Sequence, residues 1–187
     1  MNTLEAVSRI EGPNIALRLI QPSDADYVYC LRLNRDYNEH LSEVHGTAED
    51  QRSWIIRYKA REAALTELYY IVERRDKIPC GTLRLYNISP PSFEWGSWIL
   101  DANKTRKAAL ETAVLAYRIA FDALHLEKAV FDVRKGNGKT LAFHRRFGAI
   151  ETHQDDANIY FTYPRSKFKD AFHRYRSELE NLDGSAA

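Results

Sequence analysis

Three groups of residues in this 187-residue chain have the types and spacing to do chemistry. The first is an acid–base pair, His144 in the run Phe143-His-Arg-Arg-Phe147 and Glu94 between Phe93 and Trp95. An unperturbed histidine titrates near about pH 6.5, so it gives or takes a proton at neutrality. A carboxylate buried between aromatic rings has a raised pKa and becomes a usable base. Left at the surface, Glu94 is an ordinary strand glutamate. The second group is a polar stretch with Tyr37, His40, Glu43 and His45. Either histidine could serve as the base instead of Glu94, or these residues simply face solvent. No metal is expected, because neither a cysteine nor a third histidine sits at ligand spacing from His40 and His45. The third group is Lys104-Thr-Arg-Lys107 followed by Ala108 and Ala109. A helix opening there would offer unpaired N–H groups and the positive end of its dipole to an anion. Lys104, Arg106 and Lys107 add charge suited to phosphate; without such a ligand they form a solvated basic helix start.

These residues need elements to position them. Ile15–Ile20 reads as a strand, and Pro22 and Ser23 open a helix with Ser23 as its cap and Asp24 and Asp26 at its positive end. Asn34 to Gly46 reads as a loop. Thr47 begins a second helix, with Asp50 placed for a capping box. Three strand-like runs follow, at 67–73, 81–88 and 93–100, split by the charged segment 74–77 and by Ser89-Pro-Pro91. A helix from about Lys107 to His125 carries Leu110, Val114, Tyr117, Phe121 and Leu124 as an apolar stripe. A strand at 128–133 and a turn at Gly136-Asn-Gly138 lead to a short helix at 140–146, with Gly148 as its C-terminal cap. Strands at 149–152 and 158–163 and a last helix at about 165–182 complete the chain. The order βααβββαβαββα predicts an α/β fold in one domain, with a mixed central sheet flanked by helices. Its core spans about 14–164. The last helix would pack on the domain or form a homodimer contact.

Lys and Arg number 27 and Asp and Glu 26, a net charge of +1. That near-balance argues against nucleic acid as a partner. No run approaches the roughly 18 apolar residues of a membrane span, and the first eleven residues lack the apolar core of a secretory signal. A cytoplasmic setting is expected, with Cys30 and Cys80 as free thiols.

The order of elements and the segment Asn137-Gly-Lys-Thr-Leu-Ala-Phe-His-Arg-Arg-Phe-Gly-Ala149 resemble the GNAT superfamily of acetyltransferases. That family's segment is Asn-x-x-Ser/Ala-x-x-Leu-Tyr/His-x-Lys-x-Gly-Phe. Asn137, Thr140, Phe143, His144, Arg146 and Gly148 fall on matching positions, and the resemblance covers roughly Ala16 to Tyr163. It implies acetyl-CoA as acetyl donor and a primary amine as acceptor. The stretch from Lys104 to Ala109 would then hold the pyrophosphate, with Lys107 standing where the family's first glycine is usual. Trp98, Ile99 and Leu100 would meet the pantetheine arm on a strand that splays from its neighbour. Asn137, Lys139, Phe143 and Arg146 would complete the cofactor wall.

The resemblance places His144 where many members carry a tyrosine that protonates the departing thiolate; the histidine would do the same, hydrogen-bond the sulfur, or only line the cofactor channel. It places Glu94 on the strand facing the reaction centre, as the candidate base. Tyr37, His40, Glu43 and His45 fall in the stretch that forms the acceptor wall. Within the superfamily, the chain is similar to sugar-nucleotide amino-sugar N-acetyltransferases and to ribosomal-protein N-terminal acetyltransferases. A nucleotide-linked amino sugar is the preferred acceptor, with Tyr37, Trp54 and Tyr58 as aromatic surfaces for a base or sugar, or as core. The alternatives are acetylation of a protein or peptide N-terminus, and a non-catalytic module that binds acyl-CoA. Lys107 in the phosphate loop is the feature favouring the module.

Overall fold

A computed structural model of the chain describes residues 3–40 and 45–180. The elements run α1 (Thr3–Ser8), β1 (Arg9–Glu11), β2 (Ile15–Leu19), α2 (Ala25–Leu33), α3 (Arg35–Asn38), α4 (Ala48–Ala63), β3 (Leu68–Arg74), β4 (Pro79–Ser89) and β5 (Ser92–Leu100). They continue with α5 (Ala108–Arg118), β6 (Lys128–Arg134), α6 (Gly138–Phe147), β7 (Ile150–Gln154), β8 (Asn158–Pro164) and α7 (Arg165–Glu180). The strands form one mixed sheet in the order β1-β2-β3-β4-β5-β6-β8-β7. Neighbours are antiparallel except β5 and β6, which run parallel.

This is the expected α/β architecture with α1 and β1 added in front. Those two elements are six and three residues long, too short to show a period. The expected loop after Asn34 contains the one-turn α3, which Asn34 caps by accepting from the Asp36 N–H at 2.9 Å. Ser23 lies inside a 3-10 turn and does not cap α2; Asp24 instead accepts from the Gln21 N–H at 2.7 Å. Arg18 grips both oxygens of Asp24 at 2.8 Å and reaches Glu73 through Nε at 2.9 Å, fixing the entry to α2 against the sheet. The capping box of Thr47 and Asp50 is formed. The long helix after the basic loop changes at Ile119 into a π turn ending at Ala123.

Each sheet face buries its own set of side chains, as the period of two requires. On one face Val28, Ile55 and Tyr58 of α2 and α4 cover Tyr69 and Ile71. On the other, α5, α6 and α7 cover Leu83, Phe93, Trp95, Phe131 and Phe161. The Tyr58 hydroxyl accepts from the Tyr69 N–H at 2.6 Å, so that ring is core and leaves the aromatic acceptor surface expected of it. Phe168, Tyr175 and Leu179 of α7 are buried, with Tyr175 stacked on Phe147 at 4.4 Å. The last helix therefore spends its apolar face on its own domain.

Two features set the geometry of the site. First, β5 and β6 pair only at Ser92 with Lys128 and at Phe93 with Ala129. Beyond Phe93 the two strands part, and the sheet opens into a cleft. Second, β5 is bulged against β4 between Gly96 and Ile99, with Ser97 at φ 47°. The bulge adds a residue and turns the strand. Strict alternation would send Trp95 and Trp98 to opposite faces. The bulge brings their rings together at 5.2 Å, on the side of α6.

Candidate active site

The parted strands carry a cleft of about 680 Å3 on the α5–α6 side and an adjoining cavity of about 200 Å3 between the strands. His40, Trp98, Asn137 and Thr140 line both, so the two spaces are continuous.

The cleft gathers most of the residues expected to hold a nucleotide-like cofactor. Trp98, Ile99 and Leu100 form one edge, Lys104, Thr105, Arg106 and Ala109 the next, and Asn137, Lys139, Phe143 and Arg146 the far wall. Tyr37 and His40 of the acceptor stretch close it from above, with His40 lying over Gly136. Local chemistry explains these positions. Asn137 caps α6, its side chain accepting from the Thr140 N–H at 3.2 Å. Gly148 ends that helix at φ 98°, a conformation that favours glycine. Glu111, fully buried in α5, accepts from the backbone N–H groups of Asn14 and Ile15 at 2.8 and 3.0 Å and so ties the start of α5 to β2.

Several expected residues lie elsewhere. The Lys107 ammonium donates to the Glu178 carbonyl of α7 and is absent from the cleft wall. Ala108 is fully buried beneath the helix start. Its N–H already bonds the Thr105 carbonyl at 3.1 Å. His45 lines a separate cavity with Arg32 and Trp54. Glu43 lies outside the described residues.

His144 is 4% exposed and sits in the cavity between the strands. Its ring is 4.4 Å from Phe131, 5.1 Å from Trp95 and 5.4 Å from Phe143. Burial among these rings lowers its pKa to about 3, so the imidazole is neutral across the physiological range. A neutral imidazole in this setting suits a hydrogen bond to the sulfur, one of the roles expected of it, better than proton donation. Glu94 points to the opposite face, toward α2 and α4, and accepts from Asn87 Nδ2 at 3.0 Å. Asp132, which the sequence reading passed over, lines the cavity from β6. Burial and the charge of Glu94 raise its pKa. Tyr86 and Phe131 were missed as well. For Asp132, the alternation of β6 around Phe131 and Val133 was the available signal.

The pocket also fits the chemistry of an acyl-CoA donor. Trp98 Nε1, Thr105 Oγ1 and His144 Nδ1 are buried without a hydrogen-bond partner. Such groups are costly to leave unpaired, and all three belong to residues that line the cleft or its cavity. The parted edge of β5 beyond Phe93 adds backbone donors and acceptors. Four cations, Lys104, Arg106, Lys139 and Arg146, surround the cleft and suit phosphates. No cluster of metal-binding residues occurs among the described residues. No helix among them is long and apolar enough to cross a membrane.

Comparison with known proteins gives the same picture. Residues 14–150 match the acetyltransferase (GNAT) domain family. No curated protein matches the chain. A solved structure described as apo FdhC, a nucleotide-linked sugar GNAT, is 40% identical over 91% of this chain and 98% of its own, with a TM-score of 0.85. A ribosomal-protein-S5-alanine acetyltransferase from Vibrio fischeri is 15% identical over 83% of this chain and 96% of its own (TM-score 0.73). A mutant spermidine N-acetyltransferase SpeG from Vibrio cholerae is 19% identical over 84% and 97% (TM-score 0.70). At those identities the last two show the shared fold alone.

Proposed function

The chain belongs to the GNAT family of acetyl-CoA-dependent acetyltransferases, and on that premise we propose that its acceptor is the primary amine of a nucleotide-linked amino sugar. The observation that carries the acceptor class is the 40% identity, over nearly the whole of both chains, to a structure described as a nucleotide-linked sugar GNAT. The near-neutral charge agrees with a small-molecule acceptor and with no role for nucleic acid.

Acetyl-CoA supplies an acetyl group activated as a thioester. The chain's residues bind and orient around it. Lys104, Arg106, Lys139 and Arg146 take the phosphate end, together with N–H groups in the first turn of α5. Thr105 Oγ1 and Trp98 Nε1 supply buried donors along the cleft. The open edge of β5 beyond Phe93 holds the arm. The neutral His144 offers a hydrogen bond inside an aromatic cavity that excludes water. On the acceptor face, Asp132 lines the cavity between the strands and Glu94 lies near enough for its charge to raise the Asp132 pKa, so that the pair favours an ammonium arriving there. Glu94 is the base that accepts the amine's proton. The reading as a non-catalytic module rested on Lys107 disturbing the phosphate loop, and the turn of its ammonium toward α7 withdraws that support.

The test is release of free thiol from acetyl-CoA across a panel of amines. Turnover is expected with nucleotide-linked amino sugars and not with spermidine or with peptides bearing a free N-terminus. The reverse pattern would overturn the proposed acceptor.

A further inference from the structure

Glu94 is the proposed base, yet it is not among the residues that line the cavity between the parted strands. The residue across from it is. Tyr86 on β4 is the register partner of Glu94 on β5, and it lines that cavity together with Asp132 and His144. Its hydroxyl reaches the parted edge of β5, where a Cβ on Gly96 would sit 3.2 Å from it. Glycine at that position leaves the phenol its room. A fixed charge also holds the ring. The Arg84 guanidinium lies 5.3 Å from the ring centre, and the buried Glu67 accepts from Arg84 Nε at 2.5 Å. Glu94 is held in turn by Asn87 Nδ2 at 3.0 Å. Burial first, then the charges of Glu94 and Asp132, push the phenol up to about 12, and a hydrogen bond to Glu94 adds to the shift. Tyr86 therefore keeps its proton at neutral pH, between the cavity and the base.

We infer that Tyr86 is a catalytic residue that relays the amine's proton from the cavity to Glu94. The step balances. The amine nitrogen bonds to the thioester carbonyl carbon and gives its N–H proton to the Tyr86 oxygen. The phenol's own proton passes to a Glu94 carboxylate oxygen. The C–S bond then breaks, and its electron pair leaves with the sulfur of CoA. Tyr86 ends as it began, and Glu94 ends protonated. A phenol suits this place because its oxygen both donates and accepts a hydrogen bond. It brings no charge of its own into the cavity. This inference rests on Glu94 as the base and holds for any primary amine as acceptor.

The test is a double-mutant cycle on Tyr86→Phe and Glu94→Gln in the full chain, read as thiol release from acetyl-CoA with the panel amine that turns over fastest. Each variant should lower kcat about 100-fold. The Kd for acetyl-CoA, measured calorimetrically, should stay within about threefold of the parent. The double variant should be no slower than the slower single one. The limb of the rate–pH profile set by Glu94 should be missing from Tyr86→Phe. A limb that survives at lower kcat would make Tyr86 a positioning residue and overturn the relay. Unchanged turnover in Tyr86→Phe, with Glu94→Gln impaired, would overturn the relay and leave Glu94 as the base. The ionisable groups around the phenol are Glu94 on β5, Asp132 on β6, Arg84 on its own strand and His40 across the cavity. Asp132→Asn is therefore measured alongside. A large loss there with none in Glu94→Gln would move the base to Asp132, and the relay would fall with the role of Glu94. A second readout needs no substrate. The Tyr86 phenol should ionise at lower pH in Glu94→Gln than in the parent, read as the tyrosinate absorbance that Tyr86→Phe removes. An unchanged titration would mean that Glu94 does not face the phenol, which overturns the relay.

Discussion

A histidine walled in by Trp95, Trp98, Phe131, Phe143 and Phe161 cannot hold a charge cheaply, and this has a consequence for stability. Its pKa falls from 6.5 in the unfolded chain to about 3 in the folded one. Between those values the unfolded chain binds the additional proton, so stability rises with pH. The contribution is complete above pH 6.5 and is lost as pH falls toward 3, at about 1.4 kcal/mol per pH unit. Replacing His144 with Phe should therefore shrink the stability difference between pH 7 and pH 5 by about 2 kcal/mol, measured by urea unfolding. An unchanged difference would mean that the ring titrates normally. The other residue-scale prediction concerns Glu94. Glu94→Gln should abolish or displace the limb of the rate–pH profile set by the base. A profile identical to that of the parent chain would transfer the role to another group, with Asp132 first among those in place. The identity of His144 as a site residue was legible in its motif. Its neutrality was not, because the five rings come from β5, β6, β8 and α6 and meet only in three dimensions.

At the scale of elements, the start of α5 holds a residue of the expected phosphate loop whose side chain turns away from it. Lys107 stands where a glycine would be usual, yet its side chain leaves the loop and bonds α7. Lys107→Met should lower the melting temperature by a few degrees while leaving the Kd for acetyl-CoA within threefold. A tenfold loss of affinity, measured calorimetrically, would show that the ammonium holds phosphate after all. The meander offers a sharper case. A Cβ on Gly81 would lie 2.2 Å from the Ile99 carbonyl oxygen, a backbone atom with nowhere to move. Gly81→Ala should force β4 and β5 apart where β5 carries Ile99 and Leu100. The expected cost is at least 2 kcal/mol by thermal unfolding, with weakened acetyl-CoA binding. Most helices and strands were legible because their periods are long and regular, whereas α1, β1 and α3 are too short to show one. Leu110, Val114 and Tyr117 marked α5 without ambiguity. The bulge at Ser97 was not legible. It breaks the alternation on which strand reading depends and puts the positive φ on the serine, so that the isolated Gly96 beside it was the one available signal.

At the scale of the molecule, the sheet was foreseen from the pattern of elements, and its opening only through the family resemblance. Strand order follows from connection lengths and hydrophobic pattern, whereas the parting of β5 from β6 is a missing set of hydrogen bonds that no residue type encodes. The opening divides the eight strands into β1–β5 and β6–β8, and just two residue pairs stitch those halves together along the sheet. Beyond those pairs the halves meet through side-chain packing, with Trp95, Phe131 and His144 in contact and the helices α5 and α7 packed across both. Within the sheet itself, the β5–β6 seam is fastened at one end. Acetyl-CoA bound between the halves would fasten the other, and would then be a structural member of the sheet as well as a reactant. Saturating acetyl-CoA at about 100 times its Kd should add about 2.7 kcal/mol of stability. Hydrogen exchange should locate that gain on the facing edges, at residues 94–100 and 130–134, and not at β1 or β7. Uniform protection would mean a body already rigid. Protection confined to the two lips of the seam would mean that each catalytic cycle closes and reopens the sheet, and that emptying the site returns the protein to its more pliant form.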